Sequence, residues 1–224
     1  GKIFELKPNF GRSTITALGR VAGRVIGFIA SNPMFFAGAL TPESCDKDTA
    51  FVCMCDAFNI PLIFLQDVPG FMVGRAVEHS RILSKAIMFQ QALAHCVVPR
   101  ITVVMRKAFG LAYFSLGGGS HLGTSSMVAW PGAEISFMDP QVGVNVVYAD
   151  SLGAADDPDA ERQRLIDEWS TDTDPFGAAG IMEIDEVIDP AETRSWMRMQ
   201  MDAIHIEPPP RGQRKPLAWW PTCY

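Results

Sequence analysis

Arg100-Ile101-Thr102-Val103-Val104-Met105, followed at once by Arg106-Lys107-Ala108-Phe109-Gly110-Leu111-Ala112-Tyr113-Phe114, is the stretch on which the fold turns. After Arg100 the run Ile101–Met105 is mostly β-branched and, Thr102 aside, apolar, the pattern of a strand covered on both faces. A glycine then opens a segment that reads as a helix. Working outward, Pro61-Leu62-Ile63-Phe64-Leu65 and Arg24-Val25-Ile26-Gly27-Phe28-Ile29-Ala30 have the same apolar, β-branched character. Between these runs lie two helical segments. One starts at Thr41-Pro42-Glu43, where threonine can cap, proline suits the first helical position and glutamate favours the positive end of the helix. Its positions Ala50, Phe51, Met54, Ala57 and Phe58 form an apolar stripe, which leaves Asp46, Lys47, Asp48 and Asp56 expected in solvent. The other runs from about Glu78 to Cys96, with Pro99 as its stop. Short strands are expected at Met127–Trp130 and Glu134–Phe137, a solvated acidic loop over Asp150–Asp159, and surface helices over Asp159–Trp169 and Ala191–Met201. Pro208–Gly212 reads as an extended terminal strap. The alternation of strand and helix predicts an α/β fold.

Composition narrows the function. The chain has 224 residues, 48% of them apolar and 20% charged, with a formal net charge of −6. That charge argues against a bare nucleic-acid binder, whose affinity rests on a basic surface. The longest apolar stretch, Val25–Leu40, is broken by Ser31-Asn32-Pro33, so no membrane span is expected. The five cysteines, Cys45, Cys53, Cys55, Cys96 and Cys223, include no Cys-x-x-Cys pair. They read as reduced, buried thiols of a cytoplasmic or matrix protein. Gly1-Lys2-Ile3-Phe4-Glu5 has neither an initiator methionine nor a secretory layout, so further chain or a partner subunit is expected upstream.

The usual catalytic signatures are missing: there is no Gly-x-Ser-x-Gly, no Gly-x-Gly-x-x-Gly, no phosphate loop and no His-Glu-x-x-His. The histidines His79, His95, His121 and His205 are scattered and suggest no metal site. Gly117-Gly118-Gly119 lacks the lysine or hydroxyl of a phosphate cradle and reads as tight packing or a turn. Two glycine-bearing loops remain, Asp67–Gly74 and Lys107–Tyr113, each directly after a buried strand. In open α/β sheets ligands sit at the carboxyl ends of strands, so both loops would edge one crevice. A helix opening at Gly110 leaves its first amides without intrahelical partners and able to hold an oxyanion. The alternative is that Gly110 only permits close packing and that Pro69-Gly70 merely makes a type II turn.

Longer runs carry a family resemblance. Gly23-Arg24-Val25-Ile26-Gly27-Phe28-Ile29-Ala30-Ser31-Asn32-Pro33, Cys55-Asp56-Ala57-Phe58-Asn59-Ile60-Pro61-Leu62, Asp67-Val68-Pro69-Gly70-Phe71, Arg106–Tyr113, Ala129-Trp130-Pro131-Gly132-Ala133-Glu134-Ile135-Ser136 and Ile184–Pro190 occur in order over nearly the whole chain. Together they resemble the C-terminal, biotin-facing domain of biotin-dependent acyl-CoA carboxyltransferases, a family that includes propionyl-CoA carboxylase β subunits and related decarboxylases. The resemblance implies a crotonase-like fold of repeated ββα units. Residues 1–149 would form its core, and residues 150–224 the acidic loop, surface helices and strap. It also implies carboxyl transfer from carboxybiotin to the α-carbon of a coenzyme A thioester. The implied partners are an N-terminal carboxyltransferase domain or subunit, a biotin carboxyl carrier protein and biotin carboxylase, in a homo- or hetero-oligomer.

Carried over from the family, the backbone oxyanion hole falls on Gly110, Leu111 and Ala112, and biotin contacts on Pro69, Gly70, Phe71 and Phe114. Leu111 replaces a family glycine, and Phe114 stands where acyl-chain size is influenced. Met138-Asp139-Pro140-Gln141-Val142-Gly143 also departs from the family's Met-Gly-Ala-x-Gly-Ala. A decarboxylase subunit and a non-catalytic assembly domain are the alternatives. A hydratase lacks the pair of glutamates it would need near the loops.

Overall fold

A computed structural model describes residues 3–119, 123–204 and 213–219. The strap at Pro208–Gly212, His121, His205 and Cys223 lie outside the described residues. One sheet organises the rest. Its order is β1 (Phe4–Leu6), β2 (Thr14–Val21), β3 (Arg24–Ser31), β4 (Leu62–Val68), β5 (Arg100–Phe109), β6 (Ser126–Ala129) and β8 (Glu186–Val187). A further strand, β7 (Glu134–Ser136), pairs with the carboxyl end of β5 beyond β6. The first three strands are antiparallel, and every pairing from β3 onward is parallel. Nine α-helices accompany the sheet among the described residues: α1 (Pro42–Ala57), α2 (Arg75–His79), α3 (Ile82–His95), α4 (Gly110–Ser115), α5 (Pro140–Val147), α6 (Ala149–Ala154), α7 (Pro158–Thr171), α8 (Pro175–Gly180) and α9 (Thr193–Ala203).

The central strands are buried on both faces, as their unbroken apolar runs predict. Leu62 and Phe64 point to one side, where they pack with Phe51, Val52 and Cys55 of α1 and Phe89 and Leu93 of α3. Ile63, Ile101 and Val103 point to the other, against Trp196 and Met201 of α9. This is the two-residue period of a strand applied to a sheet with helices on both sides. The first turn of α1 is closed by a reciprocal cap. Thr41 Oγ1 accepts from the Ser44 amide at 3.2 Å, and Ser44 Oγ accepts from the Thr41 amide at 2.8 Å.

Four expectations are corrected. Lys47, Asp48 and Asp56 are not in solvent: they are 1%, 0% and 0% exposed. Helix α1 is enclosed by β2, α3 and the terminal 3-10 turn Pro216–Trp219, so its polar face also meets protein. Each of the three side chains has at least one hydrogen-bond partner, though Asp48 Oδ2 and Asp56 Oδ2 have none among the described residues. Lys47 Nζ donates to the Thr14 carbonyl, Asp48 Oδ1 accepts from Thr14 Oγ1 at 2.9 Å, and Asp56 Oδ1 accepts from the Val97 and Val98 amides at 2.8 and 3.2 Å. Burial pushes the Asp48 carboxyl up to about 7, against the pull of Lys47 and Thr14, and pushes the Lys47 ammonium down.

The Pro69-Gly70 segment is not a type II turn. Gly70 has φ 145°, far from the roughly 80° such a turn requires. The chain instead runs extended beside Leu40, whose amide donates to the Gly70 carbonyl and whose carbonyl accepts from the Met72 amide. Within the expected acidic loop, Ala149–Ala154 is the helix α6, packed on α5 and α7. Finally, β1 and β2 extend the sheet beyond the strands read from the sequence. The glycine triplet does pack tightly: a Cβ on Gly117 would meet Phe64 and Thr102, and one on Gly118 would meet Tyr113. Cys45, Cys53, Cys55 and Cys96 are free thiols, and burial pushes Cys53 up to about 11 and Cys96 up to about 12.

Candidate active site

The carboxyl ends of β4 and β5 converge on a cleft of about 540 Å3. Pro69, Gly70, Phe71, Met72 and Val73 form one wall, continuing from β4. Phe109, Gly110 and Leu111 form the base, at the junction of β5 and α4. Glu78 of α2, Ile82, Leu83 and Ala86 of α3, Phe137, Met138 and Asp139 of the β7–α5 connection and Val142 of α5 complete it. The two glycine-bearing loops therefore edge one crevice, as the strand order predicts.

The chain can enter α4 only as it does because residue 110 is glycine. Gly110 has φ 57°, in the left-handed region, and a Cβ there would lie 2.9 Å from the Phe137 carbonyl oxygen. Helix α4 has no side-chain cap on its first turn, which suits amides that serve a ligand. The helix has six residues, so its macrodipole is small and the local amide donors matter more. Leu111 lines the cleft and is 40% exposed.

Several groups lock this geometry. Gln66, at the end of β4, donates from Nε2 to the Tyr113 and Leu116 carbonyls at 2.9 and 2.7 Å, which ties down the far end of α4. Thr102 Oγ1 donates to the Gly117 carbonyl at 2.7 Å. Tyr113 Oη donates to Glu183 Oε1 at 2.8 Å, and burial together with that carboxylate pushes the phenol upward. Between the loops, Arg106 Nε meets both Asp67 oxygens at 3.0 and 3.1 Å, and the Lys107 amide donates to Asp67 Oδ1 at 3.3 Å. The Asp67 carboxylate raises the affinity of the Arg106 guanidinium for its proton. On the opposite lip, Lys107 Nζ pairs with Asp139 at 3.3 Å, and Asp139 also caps α5 through the Gln141 amide.

Residues 1–214 match the sequence profile of the carboxyl transferase domain. The chain belongs to that family. The carboxyltransferase subunit of propionyl-CoA carboxylase from Haloferax mediterranei is 40% identical over 196 residues, which cover 87% of this chain and 38% of that protein. The α subunit of methylmalonyl-CoA decarboxylase from Propionigenium modestum is 37% identical over 195 residues, 87% of this chain and 38% of the relative. Among solved structures, the hexameric transcarboxylase 12S core superposes with a TM-score of 0.85 at 37% identity, over 96% of this chain and 42% of that one. The chain spans less than half the length of these relatives. The crotonase-like α/β fold expected from the sequence is the fold of this carboxyl transferase domain.

Of the residues singled out in the sequence, the fold of the carboxyl transferase domain brings Pro69, Gly70, Phe71, Gly110 and Leu111 to one cleft. Ala112 is fully buried beneath it, in the core with Leu93 and Leu116. Phe114 is not among the cleft's lining residues; it packs edge-on against Tyr113, with ring centroids 4.9 Å apart, in a cluster with Ile184 and Ala133. Gln66 and the Phe137 carbonyl were not legible as site elements. For Gln66 a signal existed: it is an amide that directly follows the apolar run Leu62-Ile63-Phe64-Leu65, and a fully buried amide needs partners. Among the described residues there is no metal-ligating cluster and no helix long and apolar enough to cross a membrane.

Proposed function

We propose that this chain is the biotin-facing half of an acyl-CoA carboxyltransferase and that the cleft between the β4 and β5 loops receives the biotin ring. The observation that carries the reading is the family match over residues 1–214 combined with convergence of both glycine-bearing loops on one cleft. The residues present suit biotin chemically. An uncapped helix start offers amides to a polar oxygen, while Phe71, Met72, Leu83 and Met138 offer an apolar surface to a ring.

When bound, carboxybiotin supplies the carboxyl group for transfer to the α-carbon of a coenzyme A thioester. The chain's own contribution is positional. The amides of Leu111 and Ala112, with Gly110 preceding them, would hold the urea oxygen and stabilise negative charge there. The apolar walls keep water from competing for those donors. Pro69, Gly70 and Phe71 fix the entrance. Phe114 acts through Tyr113 on the seat of α4. The thioester itself, a second carboxyltransferase domain or subunit, a biotin carboxyl carrier protein and biotin carboxylase complete the assembly, an oligomer as in the hexameric transcarboxylase core. A subunit working in the decarboxylating direction is the second reading, favoured by the 37% identity to the Propionigenium protein.

The test supplies the complementary half and a carboxylated carrier protein and follows labelled carboxyl transfer to short acyl-CoA thioesters. Transfer that Leu111→Pro reduces about 100-fold, with the fold intact by circular dichroism, supports the amide role, because proline removes one donor at a helical position that tolerates it. A folded, reconstituted complex with no transfer in either direction overturns the reading.

A further inference from the structure

A second cleft, of about 780 Å3, shares no lining residue with the β4–β5 site. It is bounded by Arg20, Val21 and Ala22 of the β2–β3 hairpin, by Phe28 of β3, by Ile3, and by Arg194, Met197 and Arg198 of α9. Three arginines thus line one concavity in a protein whose net charge is −6, and among the described residues no carboxylate lines it. Arg20 donates to the Gly23 carbonyl at 2.9 Å, and none of the three arginines is in an ion pair among the described residues. Arg194 and Arg198 stand one helical turn apart, an arrangement in which like charges repel and which a bound anion would relieve.

The cleft is held open by the fold. Helix α9 is anchored at its start by the 2.8 Å bond from Trp130 Nε1 to Thr193 Oγ1, and along its length by buried Trp196 and Met201. At its end Arg24 donates to the Met201 and Ile204 carbonyls. The two arginines are left on the side that faces the hairpin. At the lip, Ala22 takes φ 50°, a conformation that side chains other than those of glycine or asparagine adopt rarely, so the hairpin is held there by its context. The volume falls within the roughly 300–1,000 Å3 of small-molecule sites. Phe28, Val21, Met197 and Ile3 add an apolar surface beside the charge.

We propose that this cleft binds an organic phosphate of the nucleotide class, with Arg20, Arg194 and Arg198 holding the phosphate oxygens and Phe28 and Met197 receiving the apolar base. Arginine forks match phosphate oxygens in pairs, which favours phosphate over a single carboxylate. The site is built independently of the β4–β5 cleft, and its failure would leave the reading of that cleft untouched.

The experiment is isothermal titration of the intact protein with adenosine diphosphate and, separately, with inorganic pyrophosphate. Saturable one-to-one binding of the nucleotide is expected, tighter than pyrophosphate and weakening as salt rises. The double variant Arg194→Gln with Arg198→Gln weakens it by at least about tenfold, the loss of roughly one strong charge-assisted bond. A single neutralisation elsewhere on the surface, Arg164→Gln on α7, leaves it unchanged. Both α9 arginines are exposed, so the double variant is expected to fold; if it does not, Arg20→Gln carries the same expectation. Absence of saturable binding, pyrophosphate binding as tightly as the nucleotide, or an equal loss from Arg164→Gln would each overturn the proposal.

Discussion

The two clefts on this domain are made from different materials. At the β4–β5 end the polar groups are backbone amides at a glycine-opened helix, and the walls are apolar. Beside α9 the polar groups are three arginine side chains. A backbone site tolerates changes of side chain as long as φ and the neighbouring carbonyls are kept, which is why Leu111 can stand where the resembled family has glycine. A site made of side chains has no such tolerance: each residue is its own donor.

The sharpest way to break the comparison is Gly110→Val. A β-branched residue at φ 57° with a Cβ directed at the Phe137 carbonyl must displace the start of α4. Carboxyl transfer by the reconstituted enzyme should fall by about 100-fold or more, while nucleotide binding beside α9 is kept. Next is Gln66→Leu. It removes both amide donors from the far end of α4 and leaves the Leu116 carbonyl buried without that partner. A loss of about 2 kcal/mol in urea unfolding is expected, with a smaller fall in transfer rate.

Asp67→Ala cuts the tie between the two loops. Because Arg106 is 56% exposed, screening reduces the cost to about 1 kcal/mol. The expected signature is a raised KM for the carrier with kcat nearly kept. The smallest effect on either cleft comes from Asp48→Asn, which lies in neither and serves as the reference. Asp48 binds its proton more tightly folded, at about 7, than in the open chain, so its contribution to stability is complete below about pH 4 and disappears as pH rises through about 7. The amide variant keeps the Thr14 bond and should flatten thermal stability across that range, with both binding sites unchanged.

The parts of the fold that were legible were those where a single rule governs a residue. Strands β4 and β5 are covered on both faces, so their apolar runs had one reading; Thr41-Pro42 marked the start of α1 because capping is local. Strand β2 was not legible, because Thr14-Ile15-Thr16-Ala17-Leu18-Gly19 mixes buried hydroxyls with apolar residues and obscures the alternation. Helix α6 was read as a loop since its acidic, small-residue composition is neutral, and contacts with α5 and α7 decide it. Within the site, Gly110 was legible and Gln66 was not, because a glycine signals its own backbone while an amide's partners sit on another element.

By itself the sequence determined the strand order's raw material, the glycine at the mouth of α4 and membership of the carboxyl transferase family, since each is written in local pattern or in ordered motifs. Only the tertiary structure decided that Lys47, Asp48 and Asp56 are interior, that Phe114 packs against Tyr113 and is not among the residues lining the β4–β5 cleft, and that Arg20 lines one cleft with Arg194 and Arg198. Those outcomes depend on which elements pack around a residue, and burial is a property of neighbours that are far away along the chain.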